Sequence, residues 1–112
     1  MDPRVEQVEH AMALIGGRWR PAIMYALVNQ GVQRFSALRR LIPGVSQRML
    51  TKQLRDLERA GLVSRTLYPE VPLRVEYAVT DLGRSLSPIY RQVCHWADRH
   101  WSSVERARAR RS

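Results

Sequence analysis

The chain has 112 residues, of which 45% are hydrophobic and 26% are charged, and this composition suits one globular domain with a single core. It lacks an apolar run long enough to span a membrane and the apolar segment of a signal peptide, so we expect a cytoplasmic protein without membrane contact. One cysteine and the absence of metal, nucleotide-phosphate and nucleophile motifs lead us to expect no metal, no cofactor and no enzymatic activity.

The net charge of +9 is concentrated in one segment of the chain. Between His10 and Arg55 the sequence contains eight basic residues and no acidic residue. A surface of this charge indicates a polyanionic partner, although charge by itself does not distinguish DNA, RNA and anionic lipid.

Three short helices are predicted in the first part of the chain. Apolar residues recur at helical spacing in each of them, and glycine or proline follows each run. We therefore place the helix ends at Gly16-Gly17, at Gly31 and at Pro43-Gly44, and we expect Ser36 to be the N-cap of the third helix.

A longer helix is predicted over about residues 46–60, between a serine N-cap and Gly61. Leu50, Leu54 and Leu57 fall on one side of it, and polar and basic residues fall on the other. A helix has the width that the DNA major groove admits, and Arg and Gln side chains form paired hydrogen bonds with guanine and adenine edges. The residues expected to face the bases are Ser46, Gln47, Arg48, Thr51, Lys52 and Arg55.

The hydrophobic period then changes from helical to alternating, which predicts a β-hairpin over about residues 63–79. A helix, a short helix, a tight turn, a basic helix and a hairpin form the order of a winged helix-turn-helix. The expected fold class is therefore mainly α with a small β-hairpin (α+β). The residues expected to contact the DNA backbone from the third helix and the hairpin are Arg34, Ser36, Arg39, Arg40, Arg65 and Arg74. Arg65 and Arg74 are expected at the tip of the hairpin, on its two strands.

A last helix is predicted after Thr80, with apolar residues at alternating spacings of four and three, and Pro88 is expected to kink it or to split off its first turn. These apolar residues form a seam along the helix that is longer than a small core needs. The seam predicts a homodimer in which the first helix takes part. The expected interface residues are Val5, Val8, Met12, Leu86, Ile89, Val93, Trp96 and Trp101. Residues 102–112 are expected to form a basic tail.

Several segments together resemble the HxlR-type winged-helix transcription regulators. They are residues 15–19, 34–40, 42–50, 57–63, 68–77, 82–83 and 93–96, and the resemblance covers roughly residues 5 to 100. It implies a bacterial or archaeal DNA-binding regulator that is similar to MarR-type proteins and builds its dimer from the N-terminal and C-terminal helices. Members act as repressors or activators, and some respond to electrophiles or oxidants.

The chain departs from this family at three places. Many redox-sensing members carry a cysteine before the first helix, where this chain reads Glu6-Gln7-Val8-Glu9, so the resemblance does not extend to a thiol switch there. The residue after Trp19 is Arg20 where Thr or Ser is usual, and Leu73 stands where many members have proline. Neither of the last two changes alters the predicted recognition helix.

The sequence does not decide the role of Cys94 or the presence of an effector site. Cys94 is either an inert apolar residue near the interface, the more common case, or a thiol that pairs across the dimer axis. A small-molecule effector would bind in the crevice between the terminal helices and the winged domain, but no residue pattern identifies one.

The predicted function is that of a sequence-specific transcriptional regulator that binds double-stranded DNA as a homodimer on a palindromic operator. The whole chain, residues 1–112, is expected to be one domain with its core over about 5–101. Two alternatives remain, a nucleoid-type protein that binds DNA without sequence preference and a winged-helix module that binds RNA or protein.

Overall fold

The computed structural model describes residues 2–111, which form six helices and a three-stranded antiparallel sheet. The elements follow in the order α1 (Pro3–Ile15), α2 (Arg20–Gln30), β1 (Gln33–Arg34), α3 (Phe35–Arg40), α4 (Gln47–Arg59), β2 (Val63–Tyr68), β3 (Arg74–Val79), α5 (Asp81–Arg84) and α6 (Ser87–Arg111). The four predicted helices and the hairpin are confirmed, but α1 is not shorter than α4, since both have 13 residues. None of these helices combines the length and the apolar character that a bilayer crossing requires.

One hydrophobic core joins α2, α3, α4 and the sheet. Its largest fully buried side chains are Ile23, Met24, Leu27, Leu38, Leu50, Leu54, Leu57 and Val63. These positions repeat at helical spacing along α2 and α4, so each of these helices turns one apolar face inward. The opposite face of α4 is thereby held outward.

The turn between α3 and α4 is fixed by both side chains and backbone. Ile42 and Val45 are buried in the core, and Gly44 between them has a φ of 86°, a left-handed conformation that glycine adopts without strain. The Arg39 Nε donates a hydrogen bond to the Val45 carbonyl oxygen at 3.2 Å. The angle between α3 and α4 is therefore set by the packing of a short, closed turn.

The sheet contains a strand that the sequence does not predict. The hairpin pairs Val63 with Val79 at its base and Tyr68 with Arg74 at its end, as the alternating pattern indicates. The two-residue strand β1 pairs with the other edge of β3, which gives the order β1-β3-β2. Two residues are too few to show an alternating pattern, so β1 is visible only in the tertiary structure.

The predicted N-cap of α3 is wrong. The cap position is Arg34, which makes no capping side-chain hydrogen bond, and Ser36 lies inside the first turn. Arg34 is paired with Glu76 of β3, and this pairing keeps its backbone extended, with a ψ of 159°. The helix therefore begins directly after β1, earlier than the serine would place it.

The end of the chain forms two helices, as Pro88 predicts. The Thr80 Oγ1 accepts a hydrogen bond from the Gly83 N–H at 3.0 Å and so caps α5, and α6 starts again at Ser87 with the proline in its first turn. The segment expected as a basic tail continues α6 to Arg111. Arginine and alanine, which alternate there, both favour helix.

Gly83 allows α5 to lie directly against the sheet. A Cβ atom at this position would clash with the Leu62 carbonyl oxygen and would lie 2.8 Å from the Val79 Cγ2. Because one of these neighbours is backbone, no side-chain rotation relieves the contact. This close approach connects the segment from α2 to β3, which we call the winged body, to the start of α6.

Candidate nucleic-acid interface

Helix α4 presents a polar face that is fixed by its apolar one. Leu50, Leu54 and Leu57 are almost completely buried. The Ser46 Oγ accepts a hydrogen bond from the Met49 N–H at 3.0 Å, so the predicted N-cap is confirmed. Because three leucines and a cap hold the helix, its outer residues occupy defined positions on the surface.

Five of the six residues predicted to face the bases lie together on this outer side, and the sixth, Ser46, is the N-cap. Gln47, Arg48, Lys52 and Arg55 are exposed, and Thr51 is half-buried with its hydroxyl donating to the Gln47 carbonyl oxygen at 2.8 Å. A shallow concavity along the helix is lined by Gln47, Arg48, Thr51, Lys52, Arg55, Asp56 and Arg59. This side of α4 has the width and the donor groups that a major-groove contact needs.

Arg48 and Arg55 are the unpaired cations of this face. Within residues 2–111 neither side chain makes a hydrogen bond or an ion pair. Each guanidinium keeps its full set of donors. These two side chains are therefore free to bind an anion or a base edge without breaking an existing contact.

Lys52 differs because it is paired with Asp56. Its Nζ lies 3.0 Å from the Asp56 Oδ2, and the Arg59 Nη1 lies 3.7 Å from the Oδ1 of the same carboxylate. The hydrogen bond from Lys52 and the charges of the neighbouring Lys52, Arg20 and Arg59 lower the pKa of Asp56 below its ordinary value. Lys52 is thus held along α4 by one contact with Asp56, unlike Arg48 and Arg55.

The residues predicted to contact the backbone from α3 are distributed over two elements. Arg34 is exposed but belongs to β1, opposite Glu76 of β3. Ser36 and Arg40 are exposed on α3, and Arg39 holds the turn through the Val45 carbonyl oxygen. The structure therefore places Ser36, Arg39 and Arg40 on α3, and Arg34 at its N-cap, where it pairs with β3.

The two hairpin arginines do not lie together at the tip, contrary to the expectation. Arg65 is in the middle of β2, opposite Tyr77, on the sheet face that carries the buried Val63. This face packs on the helices, so Arg65 is on the side of the hairpin where α4 lies. Its side chain is exposed, and no partner for it occurs in the described part of the chain.

Arg74 lies at the end of β3 and is bound to its neighbours. Its guanidinium donates to the Glu70 Oε1 and to the Glu76 Oε2 at 2.8 Å each, and it lies 3.7 Å above the Tyr68 ring. Hydrogen bonds from Arg74 to Glu70, with a smaller contribution from Glu76, raise the pKa of Arg74 above its ordinary value. The tip of the hairpin is thus a closed cluster with two acids and one base.

The predicted dimer residues are mostly exposed. Val5, Val8 and Met12 are exposed on α1, and Ile89, Val93 and Trp96 form a stripe along α6. Two members differ from the rest. Leu86 packs against the core, and Trp101, although exposed, lies roughly 100° around α6 from the stripe.

Cys94 is an exposed free thiol on α6. Residues 2–111 contain no group of three or more acidic, histidine or cysteine side chains that could hold a metal ion.

A helix-turn-helix with a basic second helix, followed by a β-hairpin, defines a winged helix-turn-helix protein. The family model of the HxlR-like helix-turn-helix matches residues 14–105, so the chain belongs to that family. The family is one of transcriptional regulators, as the relatives' names state.

The similarity to two relatives and to one solved structure extends over most of the chain. The chain is 49% identical over 83 residues to the HTH-type transcriptional regulator YkvN of Bacillus subtilis, covering 74% of this chain and 70% of that one. It is 46% identical over 98 residues to an HTH-type regulator of Methanothermobacter thermautotrophicus, covering 88% and 74%. The reduced form of the redox regulator HypR superposes with a TM-score of 0.81 at 41% identity, covering 88% of this chain and 97% of that one.

Proposed function

We propose that the protein is a homodimeric transcriptional regulator that binds a palindromic operator in a sequence-specific manner. Helix α4 enters the major groove, and the hairpin of β2 and β3 follows the flanking backbone or minor groove. The observation that carries the proposal is the pair of guanidinium groups, Arg48 and Arg55, that have no partner within residues 2–111 and stand on the outer side of a helix whose other side is buried in the core.

The shape of a single chain supports the dimer. Its radius of gyration is 16.7 Å, whereas a compact domain of about 100 residues has a radius near 13 Å. The excess comes from elongation, with a longest dimension of 57 Å against 33 and 23 Å. No residue of the 25-residue α6 is fully buried. A helix of this length with an exposed apolar stripe is stabilised when a second copy covers it.

A two-fold dimer explains how a single short helix achieves specificity. Two copies of α4 related by symmetry read two half-sites, roughly 34 Å apart for sites one helical turn apart. The operator then shares the symmetry of the protein, which is why a palindrome is expected. Specific regulators of this size prefer their operator to random DNA by roughly 10³-fold to 10⁷-fold.

The test is a selection of bound genomic fragments followed by affinity measurements on the recovered site. We expect an inverted repeat that binds at least about 10³-fold more tightly than a random duplex at the same salt concentration. Equal affinity for both duplexes would favour the nucleoid-type alternative. Preference for RNA of the same length, or no binding to either nucleic acid, would favour an RNA-binding or protein-binding module.

The variants Arg65→Ala and Arg74→Ala form a matched pair that tests whether the hairpin contacts DNA. Both Arg65→Ala and Arg74→Ala remove one positive charge from the same hairpin, so their long-range effects are similar. We expect Arg65→Ala to lower DNA affinity for all sequences and to reduce the salt slope by about 0.9 for each phosphate that the variant no longer neutralises, measured by fluorescence anisotropy. Arg74→Ala is expected to leave the slope unchanged, because Glu70 and Glu76 occupy its donors. The reverse pattern would contradict this assignment.

A further inference from the structure

Arg20, which belongs to the basic segment of the sequence, is bound inside the fold. It is the first residue of α2, and its side chain is only 17% exposed. Its Nε donates to the Gln53 Oε1 at 2.7 Å and its Nη2 to the Asp56 Oδ2 at 3.3 Å, both on α4. Its Nη1 donates to the Leu14 carbonyl oxygen at 2.9 Å, in the last turn of α1. One planar guanidinium thus joins the end of α1 to the middle of α4.

The same end of α1 also receives α6. The Tyr90 hydroxyl donates to the Ile15 carbonyl oxygen at 2.8 Å, next to the carbonyl that Arg20 binds. Both carbonyls belong to the last turn of a helix, where they have no partner within the helix. The end of α1 is therefore a junction at which the two terminal helices and, through Arg20, the basic helix are held together.

The partners of Arg20 on α4 are themselves oriented. The Gln53 Nε2 donates to the Met49 Sδ at 3.4 Å, which turns the amide oxygen toward Arg20. Asp56 is shared with Lys52 and Arg59, and the hydrogen bond from Lys52 and the neighbouring positive charges lower its pKa. Charge-assisted hydrogen bonds of this kind are stronger than neutral ones, and the planar fork of arginine fixes their direction.

We infer that Arg20 is a positioning residue that fixes α4 relative to the junction of α1 and α6 and thereby sets the separation of the two α4 helices in the dimer. This inference rests on the proposed function, because it needs a dimer that binds two half-sites. Its consequence is a strict preference for one half-site spacing. Inserting or deleting one base pair between half-sites moves them by about 3.4 Å and rotates them, so only a winged body that pivots can still reach both.

The experiment compares three duplexes, the selected operator and two versions with one base pair inserted or removed at its centre. Arg20→Gln removes the charged fork while Lys52 and Arg59 still neutralise Asp56. We expect this variant to bind the operator about tenfold more weakly, and the ratio of affinities between operator and altered spacings to fall by a similar factor.

Arg18→Gln is the matched control. Arg18 lies two residues earlier, and its guanidinium is 4.4 Å from the Trp19 ring centroid, whereas the hydrogen bonds to Gln53 and Asp56 come from Arg20. It removes the same charge from the same region, so we expect it to keep the spacing ratio of the wild type. Gln53→Ala removes one of the two contacts that Arg20 makes on α4 without changing the charge. Because the contact with Asp56 stays, its spacing ratio is expected to fall in the same direction as for Arg20→Gln, but by less.

Two results would overturn the inference. One is a folded Arg20→Gln or Gln53→Ala dimer with the spacing ratio of the wild type, and the other is an equal loss of affinity for all three duplexes. If Arg20→Gln does not fold, as judged by its thermal melt, Gln53→Ala decides alone. A wild-type protein that binds the operator no more tightly than a random duplex of the same length would contradict the proposed function itself, so the two failures are distinguishable.

Discussion

Replacing Arg48 and Arg55 together by alanine is expected to cause the largest loss of operator binding. Each side chain is exposed, has no partner within residues 2–111 and is mounted on a helix held by three buried leucines. A good arginine contact to a base contributes about 1–3 kcal/mol, so the double variant should lose about 2–6 kcal/mol for each half-site. The operator has two half-sites, so an affinity titration by gel shift should show a loss of about 4 kcal/mol or more, which is roughly 10³-fold.

The control for this prediction is Arg91→Ala together with Arg99→Ala. Both residues are exposed on α6, far along the chain from α4, and their removal changes the net charge by the same amount. We expect this control to keep operator affinity within a few fold of the wild type at moderate salt, because exposed charges distant from the DNA are screened. If the α4 double variant binds as tightly as the wild type, α4 does not read the operator.

Placing an aspartate at position 93 is expected to dissociate the dimer. Val93 is 58% exposed in the single chain and lies within the Ile89 and Trp96 stripe of α6. The substitution Val93→Asp therefore leaves the monomer core intact but places an unpaired charge in the proposed interface. An uncompensated buried charge costs about 3–5 kcal/mol, and a symmetric dimer contains two of them. Sedimentation equilibrium at micromolar concentration should show one chain instead of two.

Ser102→Asp is the control for charge on the same helix. Ser102 is exposed on the side of α6 roughly opposite the stripe, so its replacement should leave the dimer unchanged. The monomeric Val93→Asp variant should also lose operator affinity, because one α4 then contacts one half-site only. A wild-type protein that sediments as a single chain would remove the basis of the dimer. A Val93→Asp dimer would show instead that the stripe is not the interface.

Much of the candidate site was predictable from local patterns. The leucine spacing of α4 separates its buried and exposed sides, and Ser46 and Gly61 mark its ends, because capping and helical periodicity depend on residues only a few positions apart. The same reasoning located the hairpin, the cap at Thr80 and the break before Pro88. The strand β1 and the start of α3 were missed, because both depend on pairing with β3 about 40 positions away.

The sequence by itself determined the class of fold, the outward face of α4 and the concentration of positive charge before Arg55. Only the tertiary structure decided which of those charges are available to a partner. Arg20 pairs with Asp56, 36 positions away, whereas Arg48 and Arg55 have no partner in the described part of the chain. Arg74 is held by two acids of its own hairpin. The physical reason is that a guanidinium reaches any acceptor the fold brings within hydrogen-bonding distance, and local spacing does not reveal which acceptor that is.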